Sequence, residues 1–91
     1  MKWFVYMLRC KDNSIYTGIT KDLNKRIEAH LSGNGSKYLR GKLPLKLVYK
    51  ENFLDRSAAS KREIEIKKLS KTKKELLINL KKTLKEKICQ N

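Results

Sequence analysis

Two short runs rich in aromatic and β-branched residues, separated by a polar segment, constrain the fold of this chain more than any other feature. Residues 3–9 (WFVYMLR) and 15–19 (IYTGI) flank a cluster that contains KDNS. Such runs on either side of a polar cluster predict a β-hairpin. Gly18 lies inside the second run, where a glycine weakens a strand and often marks the close approach of another group.

The length of the hairpin loop decides which side chains share a face, because neighbouring residues of a strand alternate between the two faces. A two-residue loop would pair Tyr6 with Ile19 and place Tyr16 on the opposite face. A loop of three or five residues pairs Tyr6 with Gly18 instead. Tyr6 and Tyr16 then lie on one face as diagonal neighbours, about 7–8 Å apart. We predict this odd-length loop.

Helical periodicity and capping residues predict three helices, and one further alternating run predicts a third strand. In chain order these segments are a helix over about 22–32, a basic glycine-rich loop over 33–42, a strand over 45–53, a helix from about 55 to 70 and a helix from about 72 to 88. The order β-β-α-β-α-α predicts one α+β domain over residues 1–91, with a three-stranded antiparallel sheet flanked by helices.

Capping residues and apolar spacing add detail to these elements. The candidate caps are Thr20 or Asp22, Asp55 or Ser57, and a capping box from Thr72 to Glu75. The predicted apolar faces are Leu23, Ile27 and Leu31 on the first helix, Ala58, Ala59, Ile66 and Leu69 on the second, Leu76, Leu77, Leu80, Leu84 and Ile88 on the third, and Leu45, Leu47 and Tyr49 on the third strand.

The charge balance is strongly basic. Of the 91 residues, 23 are lysine or arginine and 9 are aspartate or glutamate, which gives a formal net charge of +14. Such a field attracts polyanions, so nucleic acid is the expected partner. An anionic membrane surface contacted by residues 72–88 is the minor alternative, because that helix needs its leucines for burial and carries no aromatic residue.

Cysteine and histidine usage excludes several classes of protein. Cys10 and Cys89 are the only cysteines and the chain has one histidine, so no zinc site is expected. Two unmatched thiols fit a reducing cytosol. The apolar run at the start is too short for a signal peptide, and no segment reaches the length needed to span a membrane. We therefore expect a cytoplasmic protein.

The candidate residues for chemistry lie at the edges of predicted elements. They are Tyr6, Tyr16, Arg26, His30 and Glu63. Arg26 and His30 are four residues apart and share one edge of the first helix. Each residue also has an ordinary interpretation, as a strand aromatic, a solvated arginine, a packed histidine or a surface salt-bridge partner. Periodicity alone does not separate Glu63 from Glu65.

Two segments carry a resemblance to a known family. The stretch VYMLRCKDNSIYTGITKDLNKRIEAH resembles the GIY-YIG nuclease motif, with YTG in place of YIG and an arginine eight residues after Gly18. The stretch DRSAASKREIEIKKLSK is similar to the segment that carries the metal-binding glutamate of that superfamily. The likeness covers roughly residues 3–80 and is closest to the small stand-alone bacterial GIY-YIG proteins, many of them of uncharacterised function. It includes HLSGNGSKYLRGK, which the superfamily at large does not share.

The resemblance implies a set of roles for the candidate residues. Relatives hydrolyse a DNA phosphodiester with one divalent metal, Mg²⁺ or Mn²⁺, which Glu63 would hold here. Tyr6 is the general base implied by the likeness, and Tyr16 positions the water or the phosphate. Arg26 would grip the non-bridging phosphate oxygens, and His30 would hydrogen-bond Tyr6 or the phosphate.

Further residues are candidate contacts to nucleic acid. They are Gly18, Lys21, Lys37, Tyr38, Arg40 and Lys42. Gly18 is hypothesised to leave room for a sugar–phosphate backbone above the two tyrosines. The loop over 33–42 is either a connector or a lip that grips a strand, since a basic, glycine-rich loop with one aromatic residue suits that task.

The expected activity is metal-dependent cleavage of DNA with low sequence specificity, because no separate targeting domain is present, and no obligate protein partner is inferred. Branched, nicked or single-stranded substrates fit better than a defined site. Two departures from the family pattern support an alternative. The first motif reads Phe4-Val5-Tyr6 and lacks its glycine, and Ile19 stands where some relatives have a lysine. The alternative is a module that binds structured DNA or RNA and cleaves weakly or not at all.

Overall fold

A computed structural model describes residues 2–89 of the chain, with side chains described as far as Lys81. The elements are strands β1 (Trp3–Arg9), β2 (Ile15–Thr20) and β3 (Lys46–Phe53), helices α1 (Leu23–Leu31), α2 (Arg56–Lys67) and α3 (Lys71–Cys89), and a 3-10 turn (Lys37–Leu39). The order β-β-α-β-α-α and the three-stranded antiparallel sheet confirm the predicted α+β fold.

The hairpin has the predicted odd register. β1 is the central strand of a sheet ordered β2-β1-β3, and both of its pairings are antiparallel. Tyr6 pairs with Gly18, as a loop of odd length requires. The Asn13 N–H donates to the Cys10 carbonyl at 2.9 Å, and Asn13 has a φ of 69°. A tight turn followed by a residue in the left-handed region is the usual three-residue hairpin loop.

The alternation of β1 divides the buried side chains between two faces of the sheet. Val5 and Met7 face α2 and α3, and they pack in a cluster with Tyr49, Ala59, Ile66 and Ile78. Tyr6 and Leu8 point to the other face, where they pack with Cys10 and Leu39, against Leu23 and Ile27 of α1. The face that carries Tyr6 is therefore covered by α1 and by the segment that follows it.

The segment over 33–42, predicted as a loop, contributes to the core. Its 3-10 turn begins at Ser36, whose Oγ accepts from the Tyr38 N–H at 3.2 Å. Leu39 at the end of the turn is fully buried against Tyr6 and Leu8. This anchor fixes the path of the loop across the face of the sheet that carries Tyr6.

Three predicted apolar faces are partly wrong. Leu31, Leu47, Leu76 and Leu80 are exposed, whereas Ile78 of α3, for which no burial is predicted, is 5% exposed and packs in the core. A β-bulge in β3 explains Leu47, because Met7 pairs with Tyr49 while Leu8 pairs with Leu47, so the alternation shifts by one residue. Among the described residues of the predicted α3 stripe, Leu77 alone packs against this core cluster, beside Ile78. Leu84 and Ile88 lie outside the described side chains.

The helix starts were predicted with mixed success. Asp22 caps α1 and Asp55 caps α2, each through a carboxylate that accepts a backbone N–H three residues on, at 3.1 Å and 2.8 Å. The predicted capping box at Thr72 is wrong, because α3 starts at Lys71. There the Ser70 Oγ accepts from the Lys73 N–H at 3.2 Å, and Glu75 is turned toward β1. No helix within residues 2–89 has the length and apolar character needed to cross a membrane.

The contact of Glu75 with Arg9 predicts a stability effect that depends on pH. The Arg9 Nη1 and Nη2 atoms lie 2.7 and 2.5 Å from the two carboxylate oxygens, and the two side chains are 27% and 28% exposed. The hydrogen bonds from Arg9 lower the pKa of Glu75 below its ordinary value of 4.5. The pair therefore stabilises the fold above that value, and its contribution is lost as the pH falls through the lowered pKa.

We expect Glu75→Gln to reduce the free energy of unfolding by about 1 kcal/mol at neutral pH, because the two-bond pair loses its charge. The difference from wild type should shrink as the solution is made acidic. Urea denaturation of both proteins at neutral and at acidic pH measures this difference in the free energy of unfolding. Glu65→Gln, at an exposed glutamate, is the control and should be nearly silent. An equal loss for Glu75→Gln at both pH values would contradict the ionic origin of the effect.

Candidate active site

A cavity of about 380 Å³ opens beside β2, the edge strand of the sheet. Its lining residues are Trp3, Tyr6, Tyr16, Gly18, Ile19, Arg26, Arg56 and Glu63. Four of the five predicted catalytic residues thus meet in one place, and they come from four elements, β1, β2, α1 and α2. The fifth, His30, lies behind Tyr6 and is 1% exposed.

Three aromatic rings pack against one another at this site. The centroids of Tyr6 and Tyr16 are 6.3 Å apart, as expected for diagonal neighbours on one face. His30 lies 6.2 Å from the Tyr6 centroid and 5.5 Å from that of Tyr16, with a near-perpendicular approach to Tyr16. The His30 Nε2 atom is 3.0 Å from the Tyr6 hydroxyl oxygen. The two tyrosines are therefore held by a histidine that the solvent does not reach.

The electrostatics of the two buried groups favour their neutral forms. Burial, and next the proximity of Tyr16, raise the pKa of Tyr6 well above its ordinary value, while Arg26 acts in the opposite direction. Burial, and next Arg26, lower the pKa of His30. At neutral pH the site therefore holds a protonated phenol beside an uncharged imidazole, with the nearby guanidinium as its cation.

The structure gives Gly18 a different purpose from the one hypothesised. A Cβ atom at this position would lie 2.6 Å from the Tyr6 hydroxyl oxygen and 2.8 Å from its Cζ. The space over the glycine is thus filled by the Tyr6 ring itself and not left for a sugar–phosphate backbone. Gly18 allows the fully buried Tyr6 ring to lie against β2, beside the cavity that Tyr6 lines.

The fold separates the two glutamates that periodicity could not distinguish. The Glu63 side chain lines the cavity, is 20% exposed and lies 3.4 Å from the Lys67 Nζ. Glu65 is 66% exposed and pairs with Arg62 on the outer side of α2 at 3.5 Å. Of the two, Glu63 is the carboxylate that could hold a metal ion at this site.

The donor set suits one kind of metal. Within the described part of the chain, no three residues of the types His, Cys, Asp or Glu cluster into a metal site. A lone carboxylate at an open cavity fits Mg²⁺ or Mn²⁺, since Mg²⁺ keeps most of its waters and takes few protein ligands. The exposed Lys67 is a surface partner of Glu63 and offers little resistance to a divalent cation.

The candidate nucleic-acid residues of the 33–42 segment fall into two groups. Tyr38 stacks on Tyr16 with centroids 6.1 Å apart, and its hydroxyl accepts from the Lys42 Nζ at 2.9 Å. Lys42 also forms an ion pair with Asp12 at 2.8 Å, so the loop is joined to the hairpin tip. Arg40 bonds within the loop instead, since its Nε donates to the Gly33 carbonyl at 2.9 Å. None of the four candidates Lys37, Tyr38, Arg40 and Lys42 lines the cavity.

A second cavity of about 340 Å³ adjoins the first and shares Trp3 and Arg26 with it. Its lining residues are Trp3, Thr20, Lys21, Asp22, Lys25, Arg26 and Ala29. The Lys21 Nζ and the Arg56 guanidinium carbon lie 5.5 and 5.6 Å from the centroid of the Trp3 ring. The predicted residue Lys21 thus belongs to a cationic groove that continues from the catalytic candidates.

Sequence reasoning missed several residues of the site. Trp3 and Arg56 line the cavity, and Lys25 lines its neighbour. Trp3 had a signal, because position 3 lies directly across the hairpin from position 21 when Tyr6 pairs with Gly18. Arg56 had none, since its place depends on how α2 docks against the sheet.

A three-stranded antiparallel sheet that gathers two tyrosines, an arginine and a glutamate at its edge is the arrangement expected of a GIY-YIG domain. Residues 2–76 match the family model of the GIY-YIG catalytic domain, and the chain belongs to this family. This confirms the resemblance inferred from the residues.

Relatives narrow the likeness to the UPF0213 proteins. The UPF0213 protein of Clostridium perfringens is 53% identical over 78 residues, which are 86% of this chain and 84% of that protein. The UPF0213 protein of Natronomonas pharaonis is 48% identical over 75 residues, 82% and 88% of the two chains. The solution NMR structure of a UPF0213 protein from Bacillus halodurans, 48% identical, aligns with a TM-score of 0.60 over 89% of this chain and 86% of that one.

Proposed function

We propose that this protein is a metal-dependent endonuclease that hydrolyses phosphodiester bonds of DNA with low sequence specificity. The observation that carries the proposal is the meeting of Tyr6, Tyr16, Arg26 and Glu63 in one cavity, although they come from four different elements. Membership of the GIY-YIG catalytic domain family supports the reaction class.

Arg26 and Glu63 would act on the substrate phosphate in different ways, Arg26 directly and Glu63 through a metal ion. The Arg26 guanidinium, exposed at the cavity, can donate two parallel hydrogen bonds to the non-bridging oxygens of a phosphate. Glu63 would hold the divalent cation that its lone carboxylate suits. Such a cation, when bound, supplies positive charge to the phosphate and to the leaving oxygen. Together the two groups place the scissile phosphate over the tyrosines.

Tyr6 and Tyr16 would activate and orient the attacking water. Tyr6, which lines the cavity and whose hydroxyl oxygen lies 3.0 Å from the His30 Nε2, is the proposed general base. An unperturbed phenol has a pKa near 10, so about one molecule in a thousand is ionised at neutral pH. Burial raises the pKa of Tyr6 further, and Arg26 offsets part of that increase. Tyr16, beside it at the same cavity, orients the water or the phosphate.

The path of the nucleic acid follows from the charge of the two cavities. Lys21, Lys25 and Arg26 line the second cavity against one acidic residue, Asp22, which is engaged as the cap of α1. Phosphates that flank the scissile bond would therefore lie in this groove, where counterion release favours binding. Trp3, between the two cavities, offers an apolar ring to a base or sugar.

A second candidate function is a module that binds structured DNA or RNA without efficient cleavage. The raised pKa of Tyr6 favours it, because a base that is so seldom ionised performs poorly at neutral pH. The two candidates share the cationic groove and differ only in turnover.

A nicking assay separates the two candidates. Supercoiled plasmid, a branched four-strand junction and a single-stranded oligonucleotide are incubated with the protein in Mg²⁺, in Mn²⁺ and in chelator. The nuclease proposal expects metal-dependent nicks, with the branched or single-stranded substrates cut at least as fast as duplex. Binding to these substrates with no cut under any of the conditions would favour the binding module.

The groove itself gives a prediction that does not require cleavage. Trp3 is the only tryptophan of the chain, so its emission reports directly on the wall between the two cavities. We expect a short single-stranded oligonucleotide, added in chelator, to change this emission saturably. Lys25→Gln should weaken the binding about threefold and lower the salt dependence by about one phosphate contact. Lys73→Gln, the same charge change on α3, should have no effect. Equal losses for both variants would rule out the groove.

A further inference from the structure

The imidazole of His30 is packed directly against the backbone of the loop that follows α1. A Cβ atom on Gly35 would lie 2.1 Å from the His30 Nδ1 and 2.8 Å from its Cε1, closer than any side chain could approach. His30 is 1% exposed, so no bulk water shares this contact. Position 35 therefore has to be a glycine for the ring to occupy this place.

The next residue contributes a hydrogen bond whose direction is fixed. The Ser36 N–H lies 3.2 Å from the His30 Nδ1. A backbone N–H can only donate, so Nδ1 has to accept and cannot carry a proton. A neutral imidazole with an unprotonated Nδ1 carries its proton on Nε2. The Nε2 atom is the one that lies 3.0 Å from the Tyr6 hydroxyl oxygen.

We propose that the Gly35–Ser36 backbone holds His30 in its Nε2–H tautomer, so that His30 donates a hydrogen bond to the Tyr6 oxygen and does not accept one from it. Gly35 and Ser36 are thus positioning residues that act on Tyr6 through His30. The consequence for catalysis rests on the proposed function, whereas the tautomer is a property of the folded protein alone.

The tautomer decides where the proton of Tyr6 points. Because the Tyr6 oxygen accepts from His30, its own O–H is directed away from the imidazole, toward the cavity that it shares with Tyr16. A phenolate formed there would keep the Nε2–H donor and be stabilised by it. With the opposite tautomer, Tyr6 would donate to His30, and its phenolate would face an unprotonated nitrogen.

The loop is anchored well enough to impose this choice. Leu39 is fully buried, the Ser36 Oγ caps the 3-10 turn, and the Arg40 Nε donates to the Gly33 carbonyl. These contacts fix residues 33–40 on both sides of the hydrogen bond to His30. The other charged or titratable groups near the ring are Arg26 of α1, Tyr6 of β1 and Tyr16 of β2, and none of them donates to Nδ1.

His30 is the only histidine of the chain, so nitrogen NMR of the uniformly labelled protein reads its tautomer without assignment. The wild-type protein should show a protonated Nε2 and an unprotonated Nδ1. An imidazole protonated on Nδ1 would overturn the proposal at once, with no variant needed.

Two substitutions at one position isolate the backbone N–H. The first replaces the Gly35–Ser36 amide by an ester, which exchanges the N–H for an oxygen and adds no atom beside the ring. Proline is unsuitable here, because its Cδ would take the place of the N–H and clash with the His30 Nδ1, which lies 3.2 Å from the Ser36 nitrogen. Ser36→Ala is the matched control, because it removes the hydroxyl and keeps the N–H. Protonation of Nδ1 is opposed by the N–H in wild type, so the ester should raise the titration midpoint of His30 by about one pH unit. Ser36→Ala should leave it unchanged.

Cleavage assays on the same proteins separate this inference from the proposed function. With a nuclease, the ester-linked protein should cut about tenfold more slowly than Ser36→Ala, which corresponds to one lost hydrogen bond to a charged group. An Nε2–H tautomer in a protein that never cuts DNA would uphold the inference and reject the nuclease. An ester-linked protein with an unchanged His30 midpoint would reject the inference, whatever its activity.

Discussion

Replacing Tyr6 by phenylalanine is expected to reduce cleavage at least about 100-fold, the usual contribution of a positioned general base. The substitution removes only the hydroxyl oxygen, which lies 3.0 Å from the His30 Nε2, from a ring that lines the cavity. It leaves the Nε2–H of His30 without its partner, which we expect to lower stability by about 1–2 kcal/mol. Single-turnover cleavage at saturating DNA, beside a thermal melt, measures both effects.

Glu63→Gln should cause a loss of similar size for a different reason. The amide lacks the negative charge that a divalent cation requires, so cleavage should fall at every metal concentration. Glu65→Gln is the matched control, since Glu65 lies on the same helix and points to solvent. Binding of DNA in chelator should be nearly unchanged in Tyr6→Phe, Glu63→Gln and Glu65→Gln. Wild-type cleavage by Tyr6→Phe or Glu63→Gln would reject the site assignment.

The pH dependence follows from the direction of the Tyr6 pKa. Because burial and Tyr16 raise this pKa, the ionised fraction of Tyr6 grows about tenfold per pH unit over the accessible range. Cleavage limited by that fraction should therefore climb from about pH 7 to about pH 9 without reaching a plateau. A plateau that begins near neutral pH would show that another group removes the proton.

Gly18→Ala is a further substitution with a large expected effect. Its Cβ would meet the Tyr6 oxygen at 2.6 Å, so either the phenol leaves its place or β2 moves. Overpacking of a buried site costs about 1–3 kcal/mol. The displaced phenol also loses its contact with His30, so cleavage should fall with stability.

A double-mutant cycle tests the cause. In a Tyr6→Leu background the ring that clashes with the new methyl group is gone, so Gly18→Ala should cost much less than in wild type. Gly41→Ala is the control, because a Cβ there meets no atom within 4 Å. Urea denaturation of the four proteins and the control gives the coupling energy. Additive losses would mean that Gly18 is needed for β2 alone.

Features that depend on neighbours in the chain were predictable from the sequence. The hairpin register, and with it the shared face of Tyr6 and Tyr16, follows from a polar turn between two strand-forming runs. The Asp22 and Asp55 caps were each one of two alternatives, because a carboxylate before a helix satisfies its free N–H groups locally.

The packing of distant segments against one another determined the features that the sequence alone left open. Glu63 and Glu65 flank the apolar face of α2 on opposite sides, so periodicity does not choose between them. Only the packing of α2 on the sheet turns Glu63 toward the tyrosines. The bulge that exposes Leu47 and the choice of Ser70 over Thr72 as a cap likewise depend on contacts outside the segment. Local propensity differs by too little at such positions to decide between alternatives.

The sequence by itself determined the family and the strand and helix order, because these depend on local spacing and on residue type. It also supplied the candidate residues for chemistry, whose roles stay predictions. Tertiary structure alone decided that Gly18 makes room for a phenol and that Gly35 and Ser36 set the proton of His30. The physical reason is that close packing depends on the shapes of two segments that are distant in the chain, and the sequence of one segment does not specify the shape of the other.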